Sequence, residues 1–563
     1  MDRARGCEPG PVSDASVAAP APLEDGDSQI CVVLCQLYSS MQPPDAEPLS
    51  IEALGGALLE SGLPVMTSLV LVDERIPERS IDAALNLIAK ANPTIVGLSV
   101  PQGTAAVAVS LMGRLRSEFD RGVGRATTIV AGHALPSARP ERFLACGADI
   151  VVIGWGESAL VSLVRRVVSG VPDLSEIPGI AYRDSGGTIR RNAIGSWAPA
   201  DAPPPRVPGG QRFFRRVEAS RGCHYGHCRF CARPAGPPDL WLPLEVERVV
   251  ADIRALVDQG VRSFTFTDED FFGNDPMRAR EIVRRIRELA PVEFTACLRA
   301  DSVQPREGRG VLPEDELTGL LAELRDSGMV RVFLGVESLS ATQLARYGKR
   351  QKVEWGRRAV SVLRELGIDV EIGFIPFDPR VTLQELRDDY AGLIETDLYK
   401  HIGTPFGWLR IQDGSDLARR HRRDQPQSKE DPETLELAWQ FVNEDSARVF
   451  HMLRRWWDDV DQLYLLARSL YRSMALSGDR RRGIAQALER VRLRACVAAL
   501  SAIEAVDGSA EPRPDDDSVF DIRHEFDRIL GLLSECHSDD LTVQAFREES
   551  RRVTGTSLYF GAA

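Results

Sequence analysis

The sequence predicts an α/β protein in three parts. These are an N-terminal Rossmann-like, doubly wound domain, a central partial (βα)6 barrel and an all-helical C-terminal domain. Three observations predict it. Between residues 28 and 195, continuous apolar runs alternate with amphipathic helical periods, the pattern of parallel strands covered on both faces. Between 213 and 415 the alternation continues, with charged residues at the strand ends. After 416 the strand signal stops and helical periods remain. A chain of 563 residues is in any case too long for one core.

The first 27 residues are acidic and rich in Pro and Ala, without apolar periodicity, and read as a disordered tail. They lack the basic-then-apolar order of a signal peptide. The first domain, 28–195, then offers five strands: 30–34, 69–72, 94–100, 128–132 and 149–154. In such a fold ligands bind outside the carboxyl ends of the strands. Those ends are small, polar or Gly-rich: Ser99 to Gly103 with Gln102, then Gly132 and His133, then Gly154, Gly156 and Glu157. Taken singly, each reads as an ordinary turn. No G-x-G-x-x-G follows the first strand, which disfavours a nicotinamide dinucleotide. Residues 196–212, dense in Pro and Gly, read as a linker.

The second part opens with Cys223, Cys228 and Cys231, three thiols within nine residues at the spacing C-x4-C-x2-C. Three thiolates from one loop can grip one metal centre and leave a fourth position open. The spacing alone leaves two readings standing: an iron–sulfur cluster, or a zinc site completed by His224 or His227. Six strands are expected near 215–219, 262–267, 293–298, 330–335, 370–375 and 406–411, with Glu269, Arg299, Asp301, Glu337 and Asp378 at or just past their ends. Active residues of such barrels gather at that face. The third part, 416–563, carries helical periods such as Leu463, Leu466, Leu470 and reads as helices closing the open barrel side, Trp456 and Trp457 included.

The cysteine loop, with Phe230 just before the last cysteine, resembles the cluster-binding loop of radical S-adenosylmethionine (radical SAM) enzymes, whose usual spacing is C-x3-C-x2-C. The D-E-D-F, L-R-A-D and G-V-E-S strand ends are similar to those of the cobalamin-binding members, and so is the preceding domain. The D-x-H-x-x-G box that supplies an axial histidine in other cobalamin proteins is absent. The resemblance implies a [4Fe-4S] cluster on Cys223, Cys228 and Cys231. It implies S-adenosyl-L-methionine held by Phe230 at its adenine, Arg299 at its carboxylate, and Glu269 and Glu337 at its ammonium and ribose. It also implies cobalamin against Ser99, Gln102, Gly132, His133, Gly154, Gly156 and Glu157. The implied activity is a cobalamin-dependent radical SAM C-methyltransferase: a 5′-deoxyadenosyl radical takes hydrogen from an unactivated carbon and methylcobalamin supplies the methyl group. Alternatives are cyclisation or rearrangement without methyl transfer, a radical SAM enzyme with a vestigial first domain, and a zinc- or cluster-stabilised binding protein.

The formal charge of −13 argues against bulk binding to nucleic acid or anionic lipid. No apolar run approaches the ~20 residues of a membrane span. Ten cysteines, most of them scattered, suit a reducing cytoplasm. The expected partners are a small-molecule or carrier-bound substrate and a flavodoxin- or ferredoxin-like electron donor.

Overall fold

The computed structural model describes residues 30–39, 47–121, 127–171, 173–195, 204–205, 214–232, 241–305, 312–472, 476–508, 522–534 and 541–554. The expected tail, nearly all of the linker, Cys7 and Cys536 lie outside the described residues.

The first domain is built on seven strands: β1 (Ile30–Leu37), β2 (Val65–Val72), β3 (Ile95–Ser99), β4 (Thr128–Gly132), β5 (Ile150–Val152), β6 (Ile180–Arg183) and β7 (Ile189–Arg191). They lie in the order β2-β1-β3-β4-β5-β6-β7. The first five pair in parallel; β6 and β7 extend the sheet as an antiparallel hairpin. Every residue of β1 and β3 is buried, because helices cover both faces. On one face α1 (Leu49–Glu60) contributes Ile51 and Leu58 to the core. On the other, α2 (Ile81–Ala91), α3 (Ala105–Arg121) and a short pair, α4 (Ala134–Ala138) and α5 (Pro140–Ala145), pack around Ile88, Leu111 and Phe143. The helix α6 (Glu157–Ser169) returns to the first face with Leu160 and Leu163. The hairpin β6–β7 is absent from the sequence expectation. Its strands are short, and Arg190 and Arg191 give β7 the look of a polar loop.

After β8 (Phe214–Val217) comes a small antiparallel pair, β9 (Ser220–Gly222) and β10 (Trp241–Pro243), which brackets the cysteine loop. The barrel sheet then continues with β11 (Ser263–Phe266), β12 (Glu293–Arg299), β13 (Met329–Glu337) and β14 (Asp369–Phe374), all parallel in the order β14-β13-β12-β11-β8. Helices α7 (Val246–Asp258), α8 (Pro276–Arg287), α9 (Glu314–Asp326), α10 (Ala341–Arg346), α11 (Val353–Glu365) and α12 (Leu383–Glu395) connect them. The sixth strand, expected at 406–411, does not form. In its place, isolated bridges join Ile372 of β14 to Ile402 and, past the end of β14, Phe377 to Trp408. Pro405 has no N–H to give a ladder, and at Gly407 a Cβ would lie 2.9 Å from the Phe374 carbonyl oxygen.

The remaining helices are α13 (Asp416–Asp424), α14 (Glu444–Trp457), α15 (Asp461–Arg472), α16 (Gly478–Asp507), α17 (Arg523–Leu532) and α18 (Leu541–Thr554). Their apolar faces join the barrel's own core. Trp457 is fully buried, its ring centroid 5.2 Å from Phe406 and 5.1 Å from Tyr464. Where the sixth strand is missing, α15 presents Arg468 and Arg472 to buried Glu371 of β14. Two guanidinium groups hold that carboxyl well below the usual range despite its burial.

One segment returns to the first domain. Leu435 is 1% exposed and belongs to the core formed by β1, α2 and α3. The Ala105 N–H donates to the Glu433 carbonyl (2.9 Å), and Arg139 and Arg142 pair with Asp413 and Glu430.

Candidate active site

The carboxyl ends of the two parallel sheets face one cavity of about 1340 Å³. From the first domain it is lined by Ser99, Gln102, Gly132, His133, Gly154, Gly156 and Glu157, and from the second by Cys228, Cys231 and Glu269. Cys223, Phe230, Arg299 and Glu337 lie behind that second wall and do not line the cavity.

The cysteine loop is held from three sides. Asp268, just past β11, accepts from the Ala219 N–H (3.1 Å) and from the Ser220 hydroxyl, fixing the loop's entry. The Arg229 N–H donates to the Tyr347 carbonyl and the Leu417 N–H to the Arg229 carbonyl, both at 2.9 Å. The Tyr225 hydroxyl donates to the Gly348 carbonyl. Gly348 has φ +69°, and a Cβ there would stand 3.0 Å from the His227 carbonyl oxygen, so glycine lets the two loops meet. Cys223 and Cys228 are half-buried and Cys231 is exposed. Among the described residues no three His, Cys, Asp or Glu side chains converge tightly enough to hold a single metal ion. A four-iron cube spreads its thiolates wider than one ion does. The two loop histidines turn elsewhere: His224 Nδ1 lies 3.0 Å from Asp270 Oδ2, and the His227 ring packs edge-on against Tyr225 at 5.5 Å.

The other barrel residues form paired charges. Arg299 is 5% exposed, its Nε 2.9 Å from Asp301 Oδ1 and its guanidinium carbon 4.1 Å from the centroid of the Tyr225 ring. Phe230 packs edge-on to Tyr347 at 5.5 Å, turned to the protein interior. Glu269 is exposed toward the cavity. Glu337 has φ +72°, a conformation uncommon outside glycine. It folds its carboxylate over Gly335 and Gly373, where a Cβ would approach its oxygens to 3.1 and 2.8 Å. There Lys349 Nζ meets Glu337 Oε1 at 2.7 Å, both residues buried. Lys349 was invisible in the sequence, where a lysine past a strand end reads as surface. The only signal was its place in Gly348-Lys349-Arg350, after a short helix.

The first-domain wall is different. Ser50, on α1, donates to Gln36 Oε1 (2.6 Å) and lies 3.0 Å from the Ser99 hydroxyl, a polar floor of which the sequence reading named Ser99 but neither Ser50 nor Gln36 as a site residue. Glu157 is engaged across the domain boundary by Arg221 of the cysteine loop (2.6 Å). A second pairing across that boundary joins buried Arg215 to Glu47 and Glu52.

Two family models match the chain: the B12 binding domain over residues 43–164 and the radical SAM superfamily over 217–391. They fall on the two sheets that face the cavity. The chain belongs to the cobalamin-dependent radical SAM enzymes. The 4′-phospho-dehydrooxetanocin synthase of Priestia megaterium is 28% identical over 338 residues, 56% of this chain. The match spans 45% of that protein, less than half its length. The cobalamin-dependent S-adenosylmethionine radical enzyme OxsB, solved with aqua-cobalamin, superposes with a TM-score of 0.73 at 20% identity, covering 94% of this chain and 81% of its own. The radical S-adenosylmethionine methyltransferase TsrM from Kitasatospora setae, solved with cobalamin and a [4Fe-4S] cluster, gives 0.53 at 19% identity, covering 70% and 75%.

The cofactors of this radical SAM enzyme are a [4Fe-4S] cluster, S-adenosylmethionine and cobalamin. The residues present fit them. Gln102 Oε1 is buried at the cavity without a hydrogen-bond partner, an acceptor suited to the amide side chains that fringe a corrin ring. The glycine-floored recess of Glu337 and Lys349 suits the ammonium and carboxylate of a methionyl group. The three thiols supply the soft donors that iron takes.

Proposed function

We propose that this radical SAM enzyme rearranges or cyclises the carbon skeleton of a phosphorylated small molecule after hydrogen abstraction, as a cytoplasmic protein served by an external flavodoxin- or ferredoxin-like reductant. The observation that carries the reading is the single cavity shared by the Gly-rich sheet ends and the cysteine loop. It would bring cobalamin, S-adenosylmethionine and substrate into one space. The sequence relative that is a 4′-phospho-dehydrooxetanocin synthase supports the choice of a synthase and a phosphorylated substrate.

Bound together, the cluster and S-adenosylmethionine supply a hydrogen-abstracting radical, and cobalamin supplies an electron or methyl partner. The chain's own residues would do the following. Cys223, Cys228 and Cys231 hold the cluster. Glu337 and Lys349 receive the methionyl ammonium and carboxylate, and Glu269 faces the ribose. Arg299, already spent on Asp301, braces Tyr225 and through it the cysteine loop, a different role from the carboxylate contact expected of it. Phe230 backs the loop against Tyr347. Ser99, Gln102, Gly132, His133, Gly154 and Gly156 receive the corrin, and Glu157 ties that wall to Arg221.

A second reading, methyl transfer to an unactivated carbon, draws support from the likeness to the methyltransferase TsrM. One assay decides. The reconstituted enzyme is given S-adenosylmethionine labelled in its methyl group and a panel of phosphorylated nucleosides and sugars. The proposal expects 5′-deoxyadenosine to form with an unlabelled product. Label in the product would overturn it and install methyl transfer.

A further inference from the structure

We infer that the barrel-side wall of the cofactor cavity is a phosphate-binding site, formed by Arg350, Arg419 and Arg420, which seats a phosphate of the substrate beside the cysteine loop. The inference rests on the reading that substrate enters this cavity.

All three arginines line the cavity. Arg350 is exposed there and makes no hydrogen bond or ion pair among the described residues. Its φ is +52°, in the left-handed region that arginine seldom adopts. The flanking residues fix that turn: the Gly348 carbonyl takes the Tyr225 hydroxyl, and Lys349 turns inward to Glu337. Held in this turn at the cavity, the Arg350 guanidinium is available to a ligand.

Arg419 and Arg420 stand on α13, whose start is pinned to the cysteine loop by the Leu417 to Arg229 hydrogen bond. They share one carboxylate, Asp416, at 3.6 and 2.8 Å. The neighbouring Asp413 is taken by Arg139 and Arg422. Among the described residues these three arginines therefore have a single paired acid between them, Asp416, in a chain whose overall charge is −13. All three are arginines, whose planar forks match phosphate oxygens. They stand beside the cysteine loop, α13 through Leu417 and Arg229 and Arg350 through the adjoining Gly348 and Tyr225.

Phosphate has two sources here: the substrate and the phosphodiester in the nucleotide tail of cobalamin. The test separates them. Full-length protein, with cluster reconstituted and hydroxocobalamin bound, is titrated calorimetrically with inorganic pyrophosphate at low and high salt. Binding that weakens with salt is expected. Arg350→Gln and the double variant Arg419→Gln, Arg420→Gln should each weaken it by about tenfold, while corrinoid retention and cluster absorbance stay as in the parent. Pyrophosphate that does not bind, or binds all variants alike, would overturn the assignment. So would loss of corrinoid in the variants, which would give the arginines to the cofactor. Should Arg350→Gln fail to fold, the double variant decides, since its side chains are 68% and 49% exposed. A labelled product in the methyl assay would sink the rearrangement reading and leave this result standing.

Discussion

The two walls of the cavity are both made from the ends of parallel strands, yet they are prepared in opposite ways. The first-domain wall is bare: Ser99, Gly132, Gly154 and Gly156 offer backbone and small polar groups. The barrel side is crowded with charges already in pairs: Arg221 with Glu218 and Glu157 at the cavity itself, and, just behind the wall, Arg299 with Asp301 and Lys349 with Glu337. A wide flat cofactor needs room and many weak contacts. A small zwitterion beside a cluster needs a few strong partners whose desolvation has been met before it arrives. One wall works by subtraction and the other by pre-assembly.

The sharpest way to break the comparison is at the cluster itself. Cys228→Ala should abolish S-adenosylmethionine cleavage and reduce iron content after reconstitution, with corrinoid still retained by the other wall. Next, Lys349→Met would leave Glu337 buried and uncompensated, costing about 3–5 kcal/mol of stability. Its affinity for S-adenosylmethionine should fall at least about tenfold, whereas corrinoid retention should not change. Adding Glu337→Gln should recover part of the stability, read from denaturant midpoints, and none of the affinity. On the bare wall the effect should reverse. At Gly132 a Cβ has only ordinary contact, 3.7 Å from Val152 Cβ. Gly132→Val should therefore fold and bind S-adenosylmethionine normally, but retain corrinoid about tenfold less well.

The smallest effect concerns Asp389, which supports the charged wall from behind. It accepts from the Ser338 hydroxyl (2.9 Å) and the Leu339 N–H (2.5 Å), and burial pushes its carboxyl up to about 8. In the unfolded chain an aspartate titrates near ~3.9. The folded state thus binds this proton more tightly. The group's contribution to stability is largest below about pH 4 and declines as pH rises to about 8. Asp389→Asn keeps an acceptor and loses the titration, so its denaturation midpoint should gain on the parent's across that window. A constant difference at all pH values would count against the raised value.

This contrast also decides what could be read from the sequence. Bare strand ends are visible as words, because Gly and Ser at a strand's end need no partner to mean what they mean. All seven residues named for the first wall line the cavity. Charged partners are not visible, because a pair such as Lys349 and Glu337 is made by a backbone at φ +72° and by two glycines on neighbouring strands. Arg299 was legible as a residue at the right place, but its bond to Asp301 two positions on was not. The five strands of the barrel sheet came from apolar runs. The sixth failed because Pro405 and Gly407 interrupt a stretch whose hydrophobicity resembles a strand's. The hairpin β6–β7 was missed for the opposite reason: buried Ile180 and Ala181 make too short an apolar run to stand out, and Arg190 and Arg191 make β7 read as a loop.

The return of Leu435 to the first core reaches beyond packing. The sheet of that domain is complete by Arg191, but one of its core side chains lies far downstream, past the whole barrel. On the ribosome the first domain must wait, its core open at that point, until the barrel has emerged and the chain doubles back. Its final consolidation is thus tied to that of its neighbour, and a fragment ending after the first domain would leave the hole unfilled.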